Sequence, residues 1–167
     1  MESKNLYAPW RMEYIRTLEK PEGDACFLCQ AAAASTDEER RTRLVLWSTD
    51  HTLVLINRFP YTNGHLLIAP SAHKADLELL TDAEHLDIQK QTTRAVQLLK
   101  RAISAQGFNL GINLGRPAGA GLPGHLHQHV VPRWSGDTNF ISVVGEVRVV
   151  PQAMSQLYDE LLRADRA

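Results

Sequence analysis

Two cysteines in 167 residues are too few for a disulfide-stapled scaffold, and no apolar run approaches the roughly 20 residues that span a bilayer. Neither sign of charge prevails. Eighteen Lys+Arg against nineteen Asp+Glu leave a net charge of −1, so no whole-molecule field draws the chain to a nucleic-acid polymer or an anionic membrane. A polyanion would need a local site. The sequence has no internal repeat and, beyond Ala31 to Ala34, no low-complexity stretch. The opening MESKNLYAPWRMEYIRTLEK has no unbroken apolar stretch, so neither a secretory signal nor an anchor is read there and a cytoplasmic location is expected.

With 44% hydrophobic and 22% charged residues, the composition is that of a soluble globular domain with a sizeable core. LVLWS from Leu44 and TLVLIN read as a hairpin turning at Thr49-Asp50-His51, and HLLIAP is a third strand behind the Asn63-Gly64 turn. Thr81-Asp82-Ala83-Glu84 is a capping box. Behind it Ile88, Thr92, Ala95, Val96, Leu99, Ala102 and Ile103 keep helical spacing as far as Gly107. FNLGINL is a strand, Gly115 to Gly124 a loop, and His125 to Val131 a strand ending at Pro132; Pro151 opens a terminal helix through Leu157, Leu161 and Leu162. Residues 30 to 43 are expected to be the least ordered, a helical turn or a mobile loop. These elements predict an α+β fold: a mainly antiparallel sheet with one long helix and a C-terminal helix. The Gly-rich loop lies between two strands, which removes the Rossmann and P-loop contexts.

Three of the seven histidines, His125, His127 and His129, alternate along the predicted last strand, so their imidazoles emerge on one face and Leu126 and Val130 on the other. Three readings stay open: satisfied or surface histidines, a zinc hydrolase with three imidazole ligands and a water, or a nucleophilic imidazole steadied by its neighbours. Gly115 to Gly121 supplies small residues whose backbone N–H groups could approach phosphate oxygens, which favours phosphorus chemistry. A neutral imidazole is appreciably available at neutral pH, and the phosphoramidate it forms is readily hydrolysed. Cys26 and Cys29 have the spacing of half a tetrahedral metal site or of a reduced thiol pair. His51 and His85 are read as solvent-facing.

The segment HLHQHVV resembles the signature of the histidine triad family of nucleotide hydrolases and transferases. NRFPYTNGHLLIAP resembles that family's upstream strand–turn–strand block, while APWRMEYI and VVPRWSGDTNF are similar to the branch containing bacterial diadenosine tetraphosphate phosphorylases. The resemblance implies one histidine-triad-like domain over 1–167, with a CxxC-bearing extension at 1–43, a catalytic core at 44–150 and a C-terminal helix at 151–167. It implies cleavage of a nucleoside 5′-phosphate derivative at the α-phosphorus through a nucleotidyl-histidine, with adenine nucleotides and diadenosine polyphosphates favoured as substrates.

In that scheme His127 is the nucleophile, His129 contacts phosphate, His125 supports the nucleophile and His65 is the family's fourth histidine. Asn57 contacts ribose and Asn113 phosphate. Ala120-Gly121 stands where relatives carry Ser or Gln, leaving the Gly121 backbone N–H. The resemblance also nominates Cys26, Cys29, His73 and His125 for a structural zinc, with no organic cofactor, and a homodimer paired through the long helix and a strand. Trp134 would serve the site or pack at a contact. The rivals are a zinc hydrolase built on the three histidines and a nucleotide-binding sensor with little turnover.

Overall fold

Apolar residues run almost unbroken through two strands of the chain, and the reason is that both faces of those strands are covered. The computed structural model describes residues 26–137 and 150–166. APWRMEYI, the opening segment in which no secretory signal is read, and the end of VVPRWSGDTNF fall outside the described residues. Two short helices, α1 (Phe27–Ala32) and α2 (Asp37–Thr42), lead into the hairpin β1 (Val45–Ser48) and β2 (Thr52–Ile56), followed by β3 (Leu66–Pro70). The long helix α3 (Asp82–Ile103), β4 (Gly107–Ile112), β5 (Gln128–Arg133) and α4 (Met154–Arg166) complete the order. The sheet runs β1-β2-β3-β5-β4, antiparallel at every pairing.

Alternation sorts the central strands into two cores. Val54, Ile56, Leu66, Ile68 and Val130 pack against Ile88, Ala95, Leu98 and Leu99 of α3 and Leu157 and Leu161 of α4. Leu53, Leu55, Leu67 and Ala69 face the other way, onto Leu28 and Ala31 of α1. β2 and β3 are therefore buried at every position, whereas β4, on the sheet edge, is half-exposed or exposed along its length.

Four expectations are corrected at their boundaries. The segment expected to be least ordered forms α1 and α2, the second held by a capping box. There the Thr36 side chain accepts from the Glu39 N–H and the Glu39 carboxylate accepts from the N–H of Thr36 and Ser35. α3 stops at Ile103, with Ser104 in the left-handed region at φ 52°, and Gly107 opens β4 instead of ending the helix. The C-terminal helix starts at Met154, three residues beyond Pro151. The last strand starts at Gln128, because β3 pairs with it only from Leu66 to Ile68.

The start of α3 is tied to the loop after β3. Glu84, buried, accepts from Lys74 Nζ at 2.6 Å, from the Thr81 N–H at 2.7 Å and from the Thr81 hydroxyl at 2.8 Å. The Lys74 hydrogen bond, with that of the Thr81 backbone, holds the Glu84 carboxyl at about 2. A depressed carboxyl contributes stability above its unfolded value near 4.5 and loses it as pH falls towards 2. Glu84→Gln should lower the unfolding free energy at pH 7 by about 1–2 kcal/mol. In urea titrations its deficit should close as pH falls through that window; a deficit independent of pH would refute the ionic cap.

Candidate active site and metal centre

The tight turn before β3 places the first site histidine. Gly64 adopts φ 79°, and a Cβ there would lie 2.6 Å from Ile103 Cδ1, so the turn needs glycine on both counts. It delivers His65, fully buried, beside β5. The His65 Nδ1 accepts from the Tyr61 N–H at 3.1 Å and lies 3.3 Å from the Asn57 amide nitrogen. With Nδ1 an acceptor, the ring proton sits on Nε2, which donates to His129 Nδ1 at 3.0 Å. His129 therefore carries its proton on Nε2, a buried atom with no hydrogen-bond partner among the described residues. Burial, reinforced by His127, lowers the His129 ring to about 4, so it is neutral near pH 7. Tyr61 lies stacked on it, with ring centroids 5.8 Å apart and 21° between planes.

His127 has the opposite tautomer. Its Nδ1–H donates to the His125 carbonyl at 2.8 Å, which leaves a lone pair on Nε2, and its ring meets His129 edge-on at 5.1 Å. The side chain is 7% exposed. A lone pair beside a free N–H donor is the equipment for attacking a phosphorus centre while holding one of its oxygens.

His125 turns away from both. Its Nε2–H donates to the Pro70 carbonyl at 2.9 Å, so its Nδ1 lone pair faces the thiols of Cys26 at 3.2 Å and Cys29 at 3.5 Å. His73 Nδ1 stands 3.2 Å from Cys29 Sγ, and the four ligand atoms lie within 4.8 Å of one another. A tetrahedral zinc with two sulfur and two nitrogen ligands has edges of ~3.4–3.8 Å, so this group could hold a metal with small adjustments. Burial lowers the His125 ring, with His73 and His127 adding to the effect; burial and the neighbouring Cys26 raise the Cys29 thiol. α1 supplies the cysteines, the loop after β3 supplies His73, and the segment before β5 supplies His125.

Of the three histidines expected to share one face, only His129 lies in the ladder, since His125 and His127 precede β5. His129 opposes Leu67 on the α1 side, while Gln128 reaches Thr92 of α3 at 3.3 Å. The rings do not converge, however, and among the described residues the ligating cluster uses one triad histidine, so a zinc held by all three is not assembled. Asn57 sits beside His65, and its carbonyl oxygen accepts from the Phe59 N–H at 3.0 Å. Asn113 follows β4 and faces the Gly-rich loop, where Ala120 donates its N–H to Gly115 at 3.2 Å and Gly121 is exposed. His51 and His85 are exposed, as expected. Trp134 donates to the Ile103 carbonyl at 3.2 Å and packs on its own core.

Sequence reasoning missed Tyr61, whose ring covers His65 and His129, and a cleft of about 390 Å³ running from His129 along β4 and β5. No periodicity marks Tyr61, which belongs to a turn. The cleft needs two strands distant in sequence.

A HIT domain family model matches residues 38–136. An AP-4-A phosphorylase of Mycobacterium tuberculosis is 34% identical over 153 residues, 90% of this chain and 78% of that protein. The asymmetrical bis(5′-nucleosyl)-tetraphosphatase of Schizosaccharomyces pombe is 31% identical over 93 residues, 56% of this chain and 50% of that one. Among solved structures, a Zn-bound histidine triad family protein from Mycobacterium smegmatis shares the fold, with a TM-score of 0.67, 24% identity, and coverage of 85% of this chain and 94% of that chain.

The lowered His129 ring has a measurable consequence for stability. Between pH 6.5 and about 4 the unfolded chain binds a proton at this histidine that the folded chain refuses, so stability falls as pH falls through that window. His129→Asn should flatten the slope of unfolding free energy against pH there; equal slopes in both proteins would sink the assignment.

Proposed function

Because the chain belongs to the HIT domain family, we propose that this enzyme cleaves a nucleoside 5′-phosphate derivative, with diadenosine polyphosphates favoured, by nucleotidyl transfer through His127. The observation carrying this reading is the opposed pair of tautomers: His127 with its Nδ1–H spent on the His125 carbonyl, and His129 with its Nε2–H unspent. The His127 Nε2 lone pair attacks the α-phosphorus. The bond from that phosphorus to the bridging oxygen breaks, and its electron pair leaves with the departing polyphosphate, an anion that needs little protonation. His129 donates to a non-bridging oxygen as charge builds there, with the Asn113 amide and the Gly121 N–H assigned to the same phosphate.

His65 holds the proton of His129 in place, and Asn57 is assigned to the ribose of the reacting half. In the second step an oxygen of water or inorganic phosphate bonds to the phosphorus, the bond to His127 Nε2 breaks with its electron pair returning to the imidazole, the attacking oxygen's proton passes to solvent, and the nucleotide leaves. The names of the M. tuberculosis and S. pombe relatives, a phosphorylase and a tetraphosphatase, support dinucleoside polyphosphates as the substrate class.

Cys26, Cys29, His73 and His125 suit zinc by donor type, two thiols and two imidazoles, and by the Pro70 carbonyl that aims the His125 lone pair at the sulfurs. Such a metal is structural: it would tie α1 and the loop after β3 to the residue whose carbonyl orients His127. Pairing of two copies through α3 and a strand follows from the family resemblance, and β4, an edge strand on which Leu110 is 50% exposed, is a strand open to such pairing.

His127→Ala should abolish turnover of diadenosine tetraphosphate while AMP still binds by calorimetry; turnover surviving in a clean preparation would remove His127 as nucleophile. Products formed with and without inorganic phosphate identify the acceptor, ADP plus ATP for phosphate and AMP plus ATP for water. Cys26→Ser should lower both zinc content per chain and melting temperature, and unchanged zinc would displace the metal assignment.

A further inference from the structure

The cleft beside His129 has a composition that the α-phosphate chemistry leaves unexplained. On its walls stand Tyr61, 42% exposed, and Val131, and Asn109 and Asn113 also line it. The floor is Gly111, which pairs directly with His129 across β4 and β5; a Cβ added there meets nothing within 4 Å. Among the described residues, Arg133 is the one charged residue lining the cleft. It is neutralised by Asp137, which accepts from Nε at 2.6 Å and from Nη2 at 2.7 Å, while Nη1 donates to Asn109 at 2.9 Å. A chain of phosphates would find little net positive charge here. A flat, uncharged ring with polar edges and a sugar would find the Tyr61 ring, the Val131 side chain and the Asn109 amide nitrogen. The volume, about 390 Å³, is within the roughly 300–1,000 Å³ of small-molecule sites.

Sheet order decides which end of a substrate this is. Asn57, assigned to the ribose of the reacting half, follows β2, whereas the cleft lies between β5 and β4; in the order β2-β3-β5-β4 they flank the triad on opposite sides. In-line displacement needs the leaving group opposite the attacking nitrogen. His129, Val131 and Arg133 continue the face of β5 away from His127, and four residues of strand span about 13 Å, comparable to an extended nucleoside.

The geometry points to this cleft as the subsite for the nucleoside of the departing half, so that dinucleoside polyphosphates are gripped at both ends and the Tyr61 ring stacks on the second base. This rests on the nucleotidyl-transfer reading and adds to it a cause of substrate selection. A substrate whose leaving group lacks a nucleoside makes no use of the cleft.

Gly111 has no positive φ, so a side chain can be built there without backbone strain, and filling the floor is a direct test. Gly111→Ala, Gly111→Val and Gly111→Leu would be compared with the unsubstituted protein on diadenosine tetraphosphate and on adenylyl sulfate, whose leaving group is sulfate. Melting temperature and native mass would be measured for each. The expected result is a graded rise in KM for diadenosine tetraphosphate, so that Gly111→Leu reduces kcat/KM for it at least tenfold more than for adenylyl sulfate. Equal losses on both substrates, or no loss on either, would overturn the subsite while leaving the nucleotidyl-transfer reading intact. Should Gly111→Leu fail to fold, the Ala and Val variants carry the same comparison. An unsubstituted protein inert towards both substrates would overturn the parent reading and the subsite with it.

Discussion

A run of hydrogen bonds that gives each imidazole one proton, on one particular nitrogen, is the constraint on which the rest of the site depends. It begins at the Tyr61 N–H, passes through His65 to His129, and leaves a proton on His129 Nε2, a buried atom without a hydrogen-bond partner among the described residues. A separate bond from His127 to the His125 carbonyl fixes the other tautomer. Neutral imidazoles can act as either donor or acceptor at each nitrogen, and three of them in contact could adopt several arrangements. Fixed main-chain donors and acceptors at the two ends remove that freedom. The same logic governs His125, whose bond to Pro70 turns its lone pair towards the thiols.

The sheet makes these contacts possible. β5 threads between β3 and β4, so that His65, at the entry to β3, becomes a diagonal neighbour of His129. One core anchors this platform to α3 and α4 while the other presses α1 against its opposite face, carrying Cys26 and Cys29 to His125. The candidate active site and the candidate metal centre thus share a backbone segment, and residue 125 serves the metal centre with its side chain and His127 with its carbonyl. A metal held by the cluster would fix the residue whose carbonyl orients the His127 ring.

Much of the fold was readable from local signals. The capping box at Thr81 and Glu84, the Asn63-Gly64 turn and the apolar runs of β2 and β3 each encode an element within a few residues, because hydrogen bonding and period act at short range. At residues 30 to 43 an alanine run and clustered acids leave a helical turn and a mobile loop both open; the helical alternative forms, and Thr36 and Glu39 carry the same capping signal as α3. Strand limits were less legible. Whether residues 125 to 127 join a ladder depends on where β3 ends, a property of another segment.

By itself the sequence determined that three histidines recur at every second residue behind a glycine-rich loop, and that an α+β chain presents them, since spacing and turn chemistry are properties of neighbouring residues. Only the tertiary structure separated the three. It sent His125 to the cysteines, opposed His127 to His129 and opened the cleft beyond them, because tautomers and cavities are set by atoms that the fold brings from α1, the turn at Tyr61 and the edge strand β4.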